Sequence, residues 1–275
     1  MLEEVVEKIQ LSNKYKYISE KTILELVKIE LPKHKSEKNL IKAVKNRLHQ
    51  VYGAFLSRKD TEKISKLLST LGSGGEDVRD IAKEILRLHQ STRERLDIYE
   101  ELYRKIFDFT GKPGSMMDLA CGLNPFSIPY MNIDRPVDYY AYDIDAMVIE
   151  NVNRFLGILG YPRLASVKDV IFERIEEYSD LCLLFKFLPT AERIRKGSSS
   201  RLLKSINSRF IVVSFPLKSI SGREKGMLEN YSRIFEPVME ESHKIKKKFV
   251  LGNEIFYILT RGNDGQVICS CHTHR

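Results

Sequence analysis

The chain has 275 residues, is 43% hydrophobic with a mean hydropathy of -0.28, and carries a net charge of +8. That leaves room for one large domain, or one domain with a smaller companion. No apolar run reaches bilayer length, and the acidic start Met1-Leu2-Glu3-Glu4 is unlike a secretion signal, so a membrane protein is excluded and a cytoplasmic one expected.

Residues 1 to about 110 read as helical. One helix over Thr22–Leu31 stops at Pro32, and Ser36 caps the next, which carries Leu40, Val44, Leu48, Val51 and Phe55 at helical spacing. Its other face holds Lys38, Lys42, Lys45 and Arg47. Asp60 is placed to cap a helix running to Leu71, where Gly72-Ser73-Gly74-Gly75 breaks it. A helix over Glu76–Leu88 follows, and Ser91 with Glu94 has the spacing of a capping box for one more, running to about Phe109.

From Ser115 the texture changes to short apolar runs separated by helical stretches. Strands are predicted at Met116–Leu119, Tyr139–Tyr142, Leu164–Val167, Leu181–Phe185, Phe210–Ser214, Lys248–Leu251 and Glu254–Thr260. Crossover helices are predicted over Asp145–Gly157 and Arg193–Ile206, with Gly197-Ser198-Ser199-Ser200 read as a flexible surface segment. Alternating strands and helices imply a mostly parallel sheet, and Gly252-Asn253 marks an antiparallel hairpin at one edge. The division expected is a helical domain over 1–110, an α/β domain over 111–262 and a disordered tail over 263–275.

Two strand ends carry the chemistry. The first run ends in Asp118-Leu119-Ala120-Cys121-Gly122, a small-residue turn, and the second in Asp143. A backbone turn that lets a ligand approach, beside a carboxylate that accepts ribose hydroxyls, is how an α/β sheet holds a nucleoside. The turn lacks the G-x-G-x-x-G spacing that a pyrophosphate needs, so S-adenosylmethionine fits better than a dinucleotide. Seven strands with these signals make an α/β, Rossmann-like class I methyltransferase plan. An Asp that merely satisfies turn amides is the structural alternative.

Asp169, with Val170, ends the third run, where it can accept an adenine amino group. Phe185 and Lys186 end the fourth, where a methyl group is presented and Lys186 could meet a phosphate. Phe215, Lys218 and Ser219 end the fifth, offering a stacking ring, a cation and a hydroxyl, although Phe215 suits a core position equally. Asn230 follows on a helix and could read a base edge or face water. Arg95 could pair bidentately with a carboxylate.

Charge is clustered. Lys33–Lys66 holds ten Lys/Arg against three acids, and Lys186–Arg209 seven against Glu192. Such clusters raise the odds of a polyanionic partner, nucleic acid by default. Cys121 and Cys182 read as reduced, buried thiols. Cys269-Ser270-Cys271-His272-Thr273-His274 has metal-ligand residue types but no second ligand cluster, so no metal site is expected.

Several stretches in order resemble one family: Leu48-His49-Gln50-Val51-Tyr52-Gly53-Ala54-Phe55, His89 to Arg95, Asp118 to Pro125, Tyr142-Asp143-Ile144-Asp145, Leu184-Phe185-Lys186, Ser214 to Ser219, Gly222 to Met227, Glu229-Asn230-Tyr231 and Gly252-Asn253-Glu254. The family is the aminoglycoside-resistance ribosomal RNA methyltransferases that modify N7 of a decoding-site guanine in 16S rRNA. The resemblance implies S-adenosylmethionine as cofactor, S-adenosylhomocysteine as product, and a helical N-terminal domain docking a monomer on the assembled 30S subunit. It implies that Arg95 holds the cofactor carboxylate and that His89, Gln90 and Ser91 line that pocket. Ala120, where relatives often carry Gly, would lie beside the methionine moiety. Asp143 would take the ribose, Asp169 with Val170 the adenine, with Phe185 as a wall and Phe55 reaching in from the helical domain. Lys186, Phe215, Lys218, Ser219 and Asn230 would position the target. Guanine N7 loses no proton, so no general base is expected. The alternatives are a methyltransferase acting elsewhere, such as on an adenine N1 in the same helix, and an RNA-binding module without catalysis.

Overall fold

The computed structural model describes residues 2–52, 57–72, 77–217 and 227–261. Each of the seven predicted apolar runs forms a strand: β1 (Ser115–Leu119), β2 (Asp138–Asp143), β3 (Ala165–Val167), β4 (Tyr178–Phe185), β5 (Asn207–Pro216), β6 (His243–Leu251) and β7 (Glu254–Arg261). They make one sheet in the order β3-β2-β1-β4-β5-β7-β6. The first five run parallel, and β7 inserts antiparallel between β5 and β6. The β6–β7 turn is the predicted Gly252-Asn253, with Gly252 at φ +56, a conformation that costs glycine little.

Among the described residues eleven α-helices surround the sheet: α1 (Leu2–Gln10), α2 (Glu20–Glu30), α3 (Glu37–Tyr52), α4 (Arg58–Gly72), α5 (Val78–Leu86), α6 (Gln90–Arg93), α7 (Tyr99–Thr110), α8 (Ala146–Ile158), α9 (Leu188–Ile194), α10 (Ser198–Ser205) and α11 (Met227–Glu240). Local chemistry sets several starts. Ser19 and Asp77 accept N–H groups of the first turns of α2 and α5, and Asp145 accepts those of Met147 and Val148 in α8. α4 begins at a reciprocal box in which Ser57 and Asp60 bond each other's backbone N–H, so the cap is Ser57 and not Asp60.

Two predicted helices are broken. The one expected over Ser91–Phe109 is the single turn α6, an irregular stretch, and then α7. His89, not Ser91, is the residue before α6, so the predicted capping box does not form. The Arg193–Ile206 helix is interrupted at Gly197, which adopts φ +78. There Glu192 accepts the N–H groups of Gly197 and Ser199, and Ser198 and Ser199 are buried, so this is a built corner and not a loose surface segment.

The helices before β1 divide between two cores. α1–α3 bury Val5, Ile9, Ile23, Leu26, Leu40, Val44 and Leu48 together with Ile144 and Ile194 from the α/β part. α4, α5 and α7 instead share a core with one face of the sheet, through Ile64, Leu68, Ile85, Tyr99, Tyr103 and Ile106. Each such side chain, fully buried, contributes about 1.5–3 kcal/mol. The other face is covered by α9–α11 over Met117, Leu184, Ile211 and Phe215. Cys121 and Cys182 are buried free thiols.

Candidate cofactor-binding rim

The parallel register aligns the carboxyl ends of β1 to β5, with Leu119 beside Tyr142, Asp143 beside Val167, and Phe185 beside Ser214. In such sheets ligands sit at that edge, where strand order reverses. Here the reversal falls between β1 and β4. The chain leaves β1 through two left-handed residues, Ala120 at φ +52 and Gly122 at φ +50. A Cβ added at Gly122 meets nothing within 4 Å, so the turn borders open space.

Asp143 closes this turn. Its Oδ2 accepts Gly122 N–H at 2.9 Å, and its Oδ1 accepts Asp145 N–H at 3.1 Å. Burial is the largest influence on its carboxyl and, with the nearby charge of Asp145, pushes the pKa up to about 6 against the backbone donors. The turn-amide alternative is therefore part of the answer. Each oxygen takes one N–H, and a carboxylate oxygen can accept more than one. Asp169 lies one strand over, joined through the Lys168 N–H to the Asp143 carbonyl at 2.9 Å. Its carboxyl is likewise raised by burial, opposed by the Thr22 hydroxyl and the Ile171 N–H. Val170 is buried beside Leu119 and Tyr142.

The opposite half of the rim is a chain of paired charges. Arg95 is 1% exposed and lies over the Phe185 ring, 4.7 Å from its centroid. Its Nε and Nη2 donate to Glu254 Oε1 and Oε2 at 2.8 and 3.1 Å. Burial works against the charge, but Glu254 outweighs it and the guanidinium is held more firmly protonated than usual. Glu254 also accepts the Ser214 hydroxyl at 2.9 Å and lies 3.0 Å from Lys186 Nζ. Lys186 reaches on to Glu94, which also accepts Gln90, at 2.7 Å and 2.9 Å. Burial opposes the Glu94 charge, yet Lys186 and Gln90 hold its pKa below the ordinary value. Asp118, between the halves, is buried against Tyr139 and Asn124, and burial pushes it up to about 7.

Two expectations change. Lys186, at φ +56, is engaged by two carboxylates at the rim, Glu94 and Glu254, rather than held out for phosphate. Phe215 is fully buried against Tyr231, Phe235 and Tyr257, so it is a core ring and not a platform for a base. β5 is covered on both faces, which buries Ile211 through Phe215 in succession. Asn230 is half-buried and accepts a long 3.4 Å bond from Arg233. Phe55, Lys218, Ser219 and the Cys/His tail lie outside the described residues. Ala120, His89 and Ser91 are part-exposed at this edge or at the α6 start.

Glu254, Glu94, Ser214 and Thr22 were given no site role from sequence. The signal for Glu254 was present, a lone acid opening the otherwise apolar run Ile255–Leu259. Nothing in sequence pairs Thr22 with Asp169. Among the described residues no acid, histidine or cysteine cluster could hold a metal, and no helix is long and apolar enough to cross a membrane.

The family model described as ribosomal RNA methyltransferase (FmrO) matches residues 11–258. The 16S rRNA (guanine(1405)-N(7))-methyltransferase of Micromonospora echinospora is 35% identical, covering 94% of this chain and 97% of its own length. The protein of the same name from Proteus mirabilis is also 35% identical, with the same coverage. The crystal structure of the 16S rRNA methyltransferase RmtF in complex with S-adenosyl-L-homocysteine superposes with a TM-score of 0.85 at 28% identity, covering 94% of this chain and 98% of that one. A matching family model over most of the chain, relatives of near-equal length and the strand order that builds the rim converge: the chain belongs to the FmrO family of ribosomal RNA methyltransferases.

Proposed function

We propose that this protein methylates N7 of guanine 1405 of 16S rRNA, the reaction named for its relatives, using S-adenosylmethionine. We propose further that it does so on the assembled 30S subunit, as a cytoplasmic monomer, and thereby confers aminoglycoside resistance. The observation that carries this reading is the rim itself. An open left-handed turn at Gly122 is locked to an acidic strand tip at Asp143, in a chain 35% identical to enzymes of that name.

The residues present fit the cofactor. Asp143 would take the ribose hydroxyls and Asp169 the adenine amine, with Phe185 as a wall; Arg95, whose Nε and Nη2 are already held by Glu254, would reach the methionine carboxylate only with the N–H groups that this pair leaves over. Ala120 and Gly122 let backbone approach without side-chain obstruction. When bound, S-adenosylmethionine supplies an electrophilic methyl on a positively charged sulfur. The chain's own task is orientation. Guanine N7 carries a lone pair in the ring plane and no proton, so no base need act; alignment and electrostatics remain. The ion-pair chain Arg95–Glu254–Lys186–Glu94 fixes the walls on the transfer side without side-chain freedom to lose. It is internally neutral, which suits a product base that gains positive charge.

Substrate docking is assigned to the exposed cations of α3 and α4, among them Lys38, Lys42, Lys63 and Lys66. Such contacts make affinity salt-dependent and sequence-blind, leaving selectivity to the shape of the folded RNA. The test is incubation with labelled S-adenosylmethionine and 30S subunits from a susceptible bacterium, then primer extension after cleavage at methylated guanine. A stop at guanine 1405 is expected. Intact subunits that stay unmodified, or a stop at an adenine in the same helix, overturn the assignment. In cells, resistance to gentamicin-type but not apramycin-type drugs is the matching phenotype.

A further inference from the structure

The segment that leads into α2 lies against the acidic side of the cofactor rim. Tyr17-Ile18-Ser19 runs antiparallel to Ile144-Asp145-Ala146, just beyond the tip of β2. Ser19 N–H donates to the Ile144 carbonyl at 2.8 Å, Ala146 N–H donates to the Tyr17 carbonyl at 2.9 Å, and Ile18 pairs with Asp145. One turn further on, in α2, the Thr22 hydroxyl donates to Asp169 Oδ2 at 2.7 Å. Both side chains are buried, at 0% and 2% exposure. The other Asp169 oxygen accepts Ile171 N–H at 2.9 Å.

A threonine in a helix commonly bonds its own helix or faces water. This one instead reaches a carboxylate 147 residues away, in the element that would read adenine. We infer that Thr22 is a positioning residue for recognition of the adenine 6-amino group, supplied to the cofactor site by the N-terminal helical unit. The inference rests on the proposed role of Asp169.

The physical argument is one of geometry and charge. An amine donates, so Asp169 must accept, and only the ionised carboxylate accepts at both oxygens. Thr22 and the Ile171 N–H occupy one direction on each oxygen. They fix the plane of the group and favour its charged form while leaving acceptor capacity on both. Without the hydroxyl, a buried carboxyl is freer to rotate and to hold a proton, and a protonated acid opposes donor to donor. The methionine end of the cofactor, held at Arg95, is untouched by this contact. The cofactor site is thus incomplete without the first helices of the chain.

The test is calorimetry on the full-length protein with S-adenosylhomocysteine and with its analogue bearing hydrogen in place of the 6-amino group. Thr22→Val, nearly the same shape, is expected to weaken S-adenosylhomocysteine binding about tenfold, the scale of one hydrogen bond to a charged group. Binding of the analogue should change less than twofold. Thr22→Ser should restore the wild-type preference. Equal losses for both ligands in Thr22→Val, or wild-type discrimination that survives it, overturn the proposal alone. Wild-type protein that does not distinguish the two ligands, or Asp169→Ala protein, which has no acceptor there, that still does, overturns the reading of Asp169 and the proposal with it.

Discussion

Arg95 and Glu254, 159 residues apart, meet as a two-pronged ion pair with both side chains at most 2% exposed. It ties the stretch between α6 and α7 to the start of β7. Ile98 packs beside the same hairpin, where a Cβ on Gly252 would come within 3.1 Å of its Cδ1. Glu254→Ala strands the buried cation of Arg95 and leaves Lys186 with Glu94 alone. Removing one partner of a buried pair costs about 3–5 kcal/mol, more than an exposed pair is worth. Urea unfolding should show a loss of that size, with the Glu254→Gln variant losing less because it keeps shape and an acceptor. Equal, small losses in both variants would show that the pair does not organise this corner.

Lys186 separates two kinds of role. Were it a phosphate anchor, its neutralisation would lower the salt dependence of 30S binding by about one counterion. The structure has it inside a carboxylate pair, 14% exposed. Lys186→Met should therefore leave the slope of log affinity against log salt unchanged and weaken S-adenosylmethionine binding, through disorder at Glu94 and Glu254. Fluorescence binding at several salt concentrations, with calorimetry for the cofactor, checks both arms. A slope reduced by one restores the anchoring role.

The strands were legible because each is an apolar run bounded by turn residues, and buried parallel strands advertise themselves in this way. Their ends were less so. β6 begins at His243, five residues before the predicted Lys248, because an edge strand rich in lysine and carrying an irregularity between Ile245 and Lys247 does not read as apolar alternation. The break between α6 and α7 was invisible for a different reason. Glu94, Arg95 and Leu96 are good helix formers, and the feature that coincides with the break, the burial of Arg95 against Glu254, is a contact written in no local pattern. Asp143 was readable from the motif that precedes it. Its partner amide at Gly122 follows from the same turn. Thr22 was not readable, since only folding brings α2 to β3. Phe215 looked like a stacking ring because a strand-end aromatic is ambiguous until the cover of α11 is known.

Ala120 sits at φ +52, where an L side chain is strained by about 1–2 kcal/mol. Replacing it with glycine removes that strain but loosens the unfolded chain by about 0.4–1 kcal/mol. Ala120→Gly should then leave stability unchanged or raise it by up to about 1.6 kcal/mol, against the loss that the same change causes at ordinary positions. Ala120→Val places a β-branched residue in the left-handed region and should destabilise by more than about 1 kcal/mol while abolishing cofactor binding. Thermal unfolding with and without S-adenosylhomocysteine measures both. A glycine variant that loses stability would show that Ala120 is not strained.

The raised carboxyls set a pH dependence with a definite sign. Asp143 is pushed up to about 6 and Asp118 to about 7, from an ordinary value of 3.8, chiefly by burial. Between the unfolded and folded values, the native protein keeps protons that the unfolded chain has released. Folding in that window takes protons up, so the contribution of these two groups to stability is greatest below pH 4 and falls as pH rises through 6 to 7, then stays level. Asp118→Asn should flatten the upper part of the window. Cofactor binding has the opposite sign at Asp143. Ribose hydroxyls donate to the ionised carboxylate, so binding lowers its pKa and releases protons near pH 6. Affinity for S-adenosylmethionine should therefore rise as pH increases from 5 to 6.5 and level off above. Calorimetry at pH 6 in two buffers of different ionisation enthalpy counts the protons. Proton uptake, or an affinity that is flat across the window, would place the ribose contact on some group other than Asp143.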